Sequence, residues 1–207
     1  MPISDCEVRD PRIRRTRQLL QAALQSLMQT RLFDEISVQD ITEAATVNRA
    51  TFYDHYTDKF ALFDAMVAGG FHKLLNERNV GFDGTCPSAA ASIILAACDY
   101  LTQTHADGTE CNRQHAFEPL MESAMTTAIY RVLMNGMKQL ADSNSALSPE
   151  MIASAASWAI FGAVKQWFYT PARPPAAEIV HPILQLVLPI LQAAGSPQPQ
   201  SIAAAHR

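Results

Sequence analysis

No run of 18 apolar residues occurs anywhere in the chain, so no membrane-spanning helix is expected. The first residues, Met1-Pro2-Ile3-Ser4-Asp5, lead into a charged stretch without an apolar core, so no secretory signal is expected. The four cysteines, Cys6, Cys86, Cys98 and Cys111, form no CxxC pair. In an unexported chain they read as free thiols, and the expected compartment is the cytoplasm. Glycine is scarce, 8 of 207 residues, while alanine is abundant and β-branched runs are few. That combination favours helices over sheet. GxSxG, HExxH and phosphate-loop motifs are all absent, so no enzyme and no cofactor are expected. His105, Cys111 and His115 are too few and too loosely spaced to read as a metal site.

What is present is a globular composition, 48% hydrophobic, with a net charge of −4. That total argues against a generic nucleic-acid coat, but charge is unevenly placed. Arg9, Arg12, Arg14, Arg15 and Arg17 stand against a single acid, Asp10, within nine residues. Local density is what a phosphate backbone feels, because salt screens charges beyond about 8 Å.

From Arg12 to Arg31 apolar residues recur at helical period: Ile13, Leu20, Ala23, Leu24, Leu27 and Met28, with Arg and Gln opposite. Ser37 with Asp40 predicts a capping box opening a helix over Val38 to Ala45. After the tight turn Thr46-Val47, Asn48 is expected to cap a short helix over Arg49 to His55. Lys59 opens a long fourth helix, and further helices are expected over about 88–106, 112–141, 149–169 and 176–194. Residues 195–207 read as a frayed tail. The fold class is therefore all-α: a three-helix head over residues 9–58, then a larger helical domain over 59–195.

Two short helices joined by a tight turn make a helix-turn-helix, whose second helix fits a major groove about 12 Å wide. Here that helix carries Asn48, Arg49, Thr51, Tyr53 and His55, with Phe52 turned toward Leu24 and Ile41. Three stretches, Ile36-Ser37-Val38-Gln39-Asp40-Ile41, Ala44 through Tyr56, and Asp58-Lys59-Phe60-Ala61-Leu62, make residues 12–66 resemble the DNA-binding domain of TetR-type transcriptional regulators. The family's recognition helix has a Thr/Leu/Tyr/x/His/Phe-like string followed by a Lys; this chain has Thr51, Phe52, Tyr53, His55, Tyr56 and Lys59 there. It departs in the turn, where the family usually has Gly and this chain has Thr46. The match covers about a quarter of the chain; the rest agrees only in its expected helical architecture.

The resemblance implies a homodimeric repressor on a palindrome-like double-stranded operator, released by a small molecule. By position, Ser37 and Val38 start the helix that abuts phosphate. Thr51, Tyr53, His55 and Lys59 face the backbone, Asn48, Arg49 and Ala50 face base edges, and Arg12, Arg14 and Arg15 reach phosphate or the minor groove. A mostly apolar effector pocket is expected within about 98–168, lined by Tyr100, His115, Phe117, Met121, Met125, Met134, Phe161 and Trp167, because methionines adapt to varied ligands. The last two helices are the expected dimer interface, the final one being apolar nearly all round. The competing expectation is an adaptor or small-molecule-binding protein whose helix-turn-helix does not engage DNA.

Overall fold

The computed structural model describes residues 10–79, 86–106, 117–137 and 147–193. Within them lie eight α-helices and no strand: α1 (Pro11–Leu27), α2 (Val38–Ala45), α3 (Arg49–His55), α4 (Lys59–Glu77), α5 (Pro87–Ala106), α6 (Phe117–Met137), α7 (Pro149–Tyr169) and α8 (Ala176–Gln192). A 3₁₀ turn, Phe33–Glu35, joins α1 to α2. The chain divides into two compact units. The first holds the chain up to Arg78 with Ala96–Ala128, so it includes parts of α5 and α6. The second holds Asn79–Leu95 and everything from Ile129 onward. The tail expected over 195–207 lies outside the described residues.

The helix starts in the first unit follow from short-range chemistry. Asp10 Oδ1 accepts from the Arg12 N–H at 2.8 Å, with Pro11 in the first turn, where its missing N–H costs nothing. At α2 the capping box is complete: Ser37 Oγ accepts from Asp40 N–H at 3.1 Å, and Asp40 Oδ2 accepts from Ser37 N–H at 2.8 Å. Asn48 caps α3 and Asp58 caps α4 in the same manner. α1 packs on α2 and α4, and α2 on α3, around Leu20, Leu24, Ile36, Ile41, Phe52, Leu62 and Phe63, all fully buried. One position of the α1 stripe differs from expectation: Ile13 is exposed, and Arg17 is buried instead. Its guanidinium lies 5.1 Å from the centre of the Tyr56 ring, a cation–π contact that compensates a charge taken out of water.

In the second unit Ser148 caps α7, followed by Pro149 at its first position. α7 packs against α8. The link between them is braced: Trp167 Nε1–H donates to Pro174 O at 2.8 Å. Arg173 Nη1–H donates to Phe168 O at 2.7 Å while its guanidinium stacks on both rings.

The turn of the helix-turn-helix keeps its geometry without glycine. Thr46 ends α2 at φ 55°, ψ 43°, the left-handed conformation, and Val47 N–H reaches back to Thr42 O at 2.9 Å. A β-branched residue there carries a cost of about 1–2 kcal/mol. Thr46→Gly is expected to stabilise the fold by about 1 kcal/mol, the relief exceeding glycine's extra unfolded entropy. Thermal unfolding should show a rise of about 2–4 °C; a fall would show that Thr46 is not strained.

Candidate nucleic-acid interface

α3 has seven residues, too few to hold a helix in isolation. It is held by its inner face. Phe52 is fully buried, its ring 5.9 Å from that of Tyr56, and the Tyr56 hydroxyl accepts from Gln21 Nε2–H on α1 at 3.2 Å. With that face fixed, Asn48, Arg49, Ala50 and Tyr53 are left exposed together, with Thr51 and His55 half-buried at their flanks. Arg49 folds along the helix onto Tyr53: its guanidinium is 5.7 Å from the ring centre and Nη2–H donates to the Tyr53 hydroxyl at 3.4 Å. The contact restrains a long side chain before any ligand arrives, which lowers the entropy cost of using it. Arg12, Arg14 and Arg15 are exposed on the first turns of α1.

At the start of α2, Val38 is half-buried and Ser37 exposed. The Ser37 hydroxyl donates to Asp40 Oδ2 within the capping box, so what this helix start offers an anion is its free N–H groups. Hydrogen bonds from Ser37 first, then Arg31, hold the Asp40 carboxyl well below its ordinary range. Arg31 Nη1 lies 2.9 Å from Asp40 Oδ1, and its Nη2–H donates to Glu35 O at 2.7 Å.

Lys59 has a role that sequence reasoning missed. Its Nζ donates to Phe33 O at 2.9 Å, Asp34 O at 3.1 Å and Ile36 O at 2.9 Å, and it lies 4.8 Å from the Phe33 ring centre. An ammonium has three protons, and all three are spent on the 3₁₀ turn. The phosphate contact expected of Lys59 would have to compete with these carbonyls. No short-range signal reveals this, because the acceptors lie 23–26 residues upstream.

The first unit also contains a cavity of about 560 Å³ walled by α1, α4, α5 and α6. Tyr100 and Met121, both expected at an effector pocket, line it. Met125 is fully buried in the same unit. Met134, Phe161 and Trp167 belong to the second unit, where the indole N–H of Trp167 is committed to Pro174. His115 and the side chain of Phe117 lie outside the described residues. The cavity also takes in α1 and α4, outside the 98–168 range of the expected pocket; the α1 glutamines that line it read in sequence as the polar face opposite the apolar stripe. Burial raises the Tyr100 hydroxyl well above its ordinary pKa, so it is a neutral donor at physiological pH. Among the described residues no cluster of three or more His, Cys, Asp or Glu could hold a metal ion; Cys111 lies outside them.

Residues 19–66 match the family profile described as "Bacterial regulatory proteins, tetR family". Over this segment, under a quarter of the chain, the sequence is similar to the DNA-binding domains of that family. A curated relative, the uncharacterized HTH-type transcriptional regulator YxbF of Bacillus subtilis, is 28% identical over 120 residues, 55% of this chain and 32% of its own length. The dhaKLM operon transcriptional activator DhaS of Lactococcus lactis is 30% identical over 64 residues, 31% of this chain and 34% of its own length. The chain thus spans about a third of the length of these curated relatives. A crystal structure of a TetR-family regulator from Streptomyces coelicolor shares the fold at a TM-score of 0.58 and 18% identity, over 89% of this chain and 99% of that one. The shared fold agrees with the helix-turn-helix arrangement of α2 and α3. No helix among the described residues is long and apolar enough to cross a membrane.

Two outcomes test this geometry. Lys59→Met, which keeps length and removes the charge, should destabilise the fold by about 1–3 kcal/mol in urea unfolding, since three carbonyls lose one charged donor; no loss would show the contact to be incidental. The lowered Asp40 pKa contributes stability above its ordinary value of 3.8, and this contribution is lost as pH falls below that value. Wild type and Asp40→Asn should therefore differ most in melting temperature at neutral pH and converge under acid; a constant gap down to low pH contradicts the assignment.

Proposed function

We propose that the chain represses transcription as a homodimer on a palindrome-like operator and that a small molecule releases it. The observation that carries this is the exposed face of α3, with Asn48, Arg49 and Tyr53 presented on a fully buried Phe52 anchor. Arg49 is the residue to read a guanine edge, which presents two acceptors to a guanidinium fork. Arg12, Arg14 and Arg15 supply the sequence-independent phosphate attraction, with Ser37, Val38, Thr51, Tyr53 and His55 along the backbone.

Dimerisation is supported by the second unit. Met151, Trp158 and Tyr169 on α7 are 59%, 53% and 53% exposed, and Leu186 on α8 is 67% exposed. Gly162 lies on that α7 face with open space where a side chain would be. Ala153, Ala156 and Ser157 of α7 are buried within the chain, so the face offered to a second copy is the one bearing Trp158. Large apolar groups at this exposure on two neighbouring helices suit a four-helix contact. A dimer sets two α3 helices for half-sites about 34–36 Å apart.

The experiment is a gel shift and footprint on the chain's own upstream DNA. Wild type should protect two half-sites. Arg49→Ala should lose about 1–3 kcal/mol of specific binding, about 5–150-fold, and relax the preference at one base position. A variant that binds a mapped operator like wild type removes α3 from the reading role.

A further inference from the structure

The cavity of the first unit has a polar rim and an apolar floor. α1 lines it with Gln18, Gln21, Gln25 and Gln29, spaced three to four residues apart and so on one helix face. α5 adds Gln103 and Thr104. A carboxamide both donates and accepts, so this rim matches groups that do the same: hydroxyls and amides. The floor is apolar, with Met28, Phe63, Leu74 and Met121 all buried. Formal charge at the wall is one cation, Lys73, and one anion, Glu77, with His105 beside them bonded through Nδ1 to Leu101 O. The cavity therefore favours neither sign.

Tyr100 supplies the second, independent observation. It is only 8% exposed, it lines the cavity, and among the described residues its hydroxyl has no hydrogen-bond partner. The hydroxyl is open to the cavity, where a ligand group that accepts or donates can pair with it. Its ring occupies the space that any side chain at position 70 of α4 would need: a Cβ on Gly70 would stand 2.8 Å from Tyr100 Cε2. The glycine thus admits the ring, and the ring brings the hydroxyl to the cavity.

We propose that this cavity binds a neutral ring compound carrying several hydroxyl groups, of the aryl glycoside class, with Tyr100 as its buried anchor and the α1 glutamines as its rim. The ring lies on the methionine and phenylalanine floor, and the hydroxyls replace water at the carboxamides. Resting on the operator-binding function proposed above, the site also has a regulatory consequence. α1 carries Arg12, Arg14 and Arg15 at its start and the glutamine stripe along its length, so a ligand bound to α1 and α5 together biases the position of the arginine-bearing helix.

The test is calorimetric titration of the full chain, without DNA, using phenyl β-D-glucoside and, as its charged counterpart, phenyl β-D-glucuronide. The glucoside should bind once per chain and the glucuronide at least about tenfold more weakly, since no net positive charge compensates its carboxylate. Tyr100→Phe should retain or raise the melting temperature, having lost only an unpaired hydroxyl, yet bind the glucoside about threefold to tenfold more weakly. Gln25→Leu, at an exposed position, should weaken binding by a similar factor. No glucoside binding at millimolar concentration, equal binding of both probes, or wild-type affinity in Tyr100→Phe overturns the proposal. The regulatory half is read separately, by operator gel shift with and without glucoside. A glucoside that binds but leaves operator affinity unchanged overturns that half alone. A protein that binds glucoside yet shifts no upstream DNA overturns the operator function and leaves the site standing.

Discussion

Everything outward about α3 depends on its burial. A seven-residue helix lacks the length to pay for its own nucleation, so its orientation is set by Phe52 in the core and by Tyr56, which meets Gln21 and Arg17 of α1. Once those two rings are seated, the 100° step of the helix leaves Arg49 and Tyr53 on a neighbouring, outward face, one turn apart and in contact. The polar face is exposed because the aromatic face is not.

The same helix that anchors α3 also walls the cavity. α1 gives Leu20 and Leu24 to the core, Gln21 to Tyr56, and a glutamine stripe to the cavity. α4 is as versatile: Lys59 at its start clamps the 3₁₀ turn, Gly70 near its middle receives the Tyr100 ring, and beyond its end Arg78 pairs with Asp99 of α5. The groups expected at DNA and the cavity walls thus lie in one compact unit, coupled through two helices that serve both. A displacement of α1 at the cavity would therefore be felt at its arginine-bearing start, because packed helices shift as bodies and do not deform continuously.

The boundaries of α2, α3 and α7 were legible in the sequence because their signals act over a few residues. Ser37 with Asp40, Asn48, and Ser148 with Pro149 each satisfy N–H groups two or three positions away, and the structure starts helices at those places. The α1 stripe was legible in period but not in its first turns: Ile13 has no core to face, and Arg17 finds Tyr56 instead. Thr46 shows the converse. A residue poorly suited to the left-handed region still adopts it, because the packing of α2 against α3 requires that turn.

The sequence by itself determined the helical fold, the capped starts and the polar string of α3, since periodicity, capping and burial preference are properties of neighbours along the chain. Only the tertiary structure decided what Lys59, Tyr100, Trp158 and the α1 glutamines do. Lys59 meets carbonyls 23–26 residues away, Tyr100 meets Gly70, and Trp158 is left outside while Ala153 and Ala156 go in. Each of those outcomes depends on which helix faces pack, and a face is chosen by partners distant in sequence, where local chemistry has no reach.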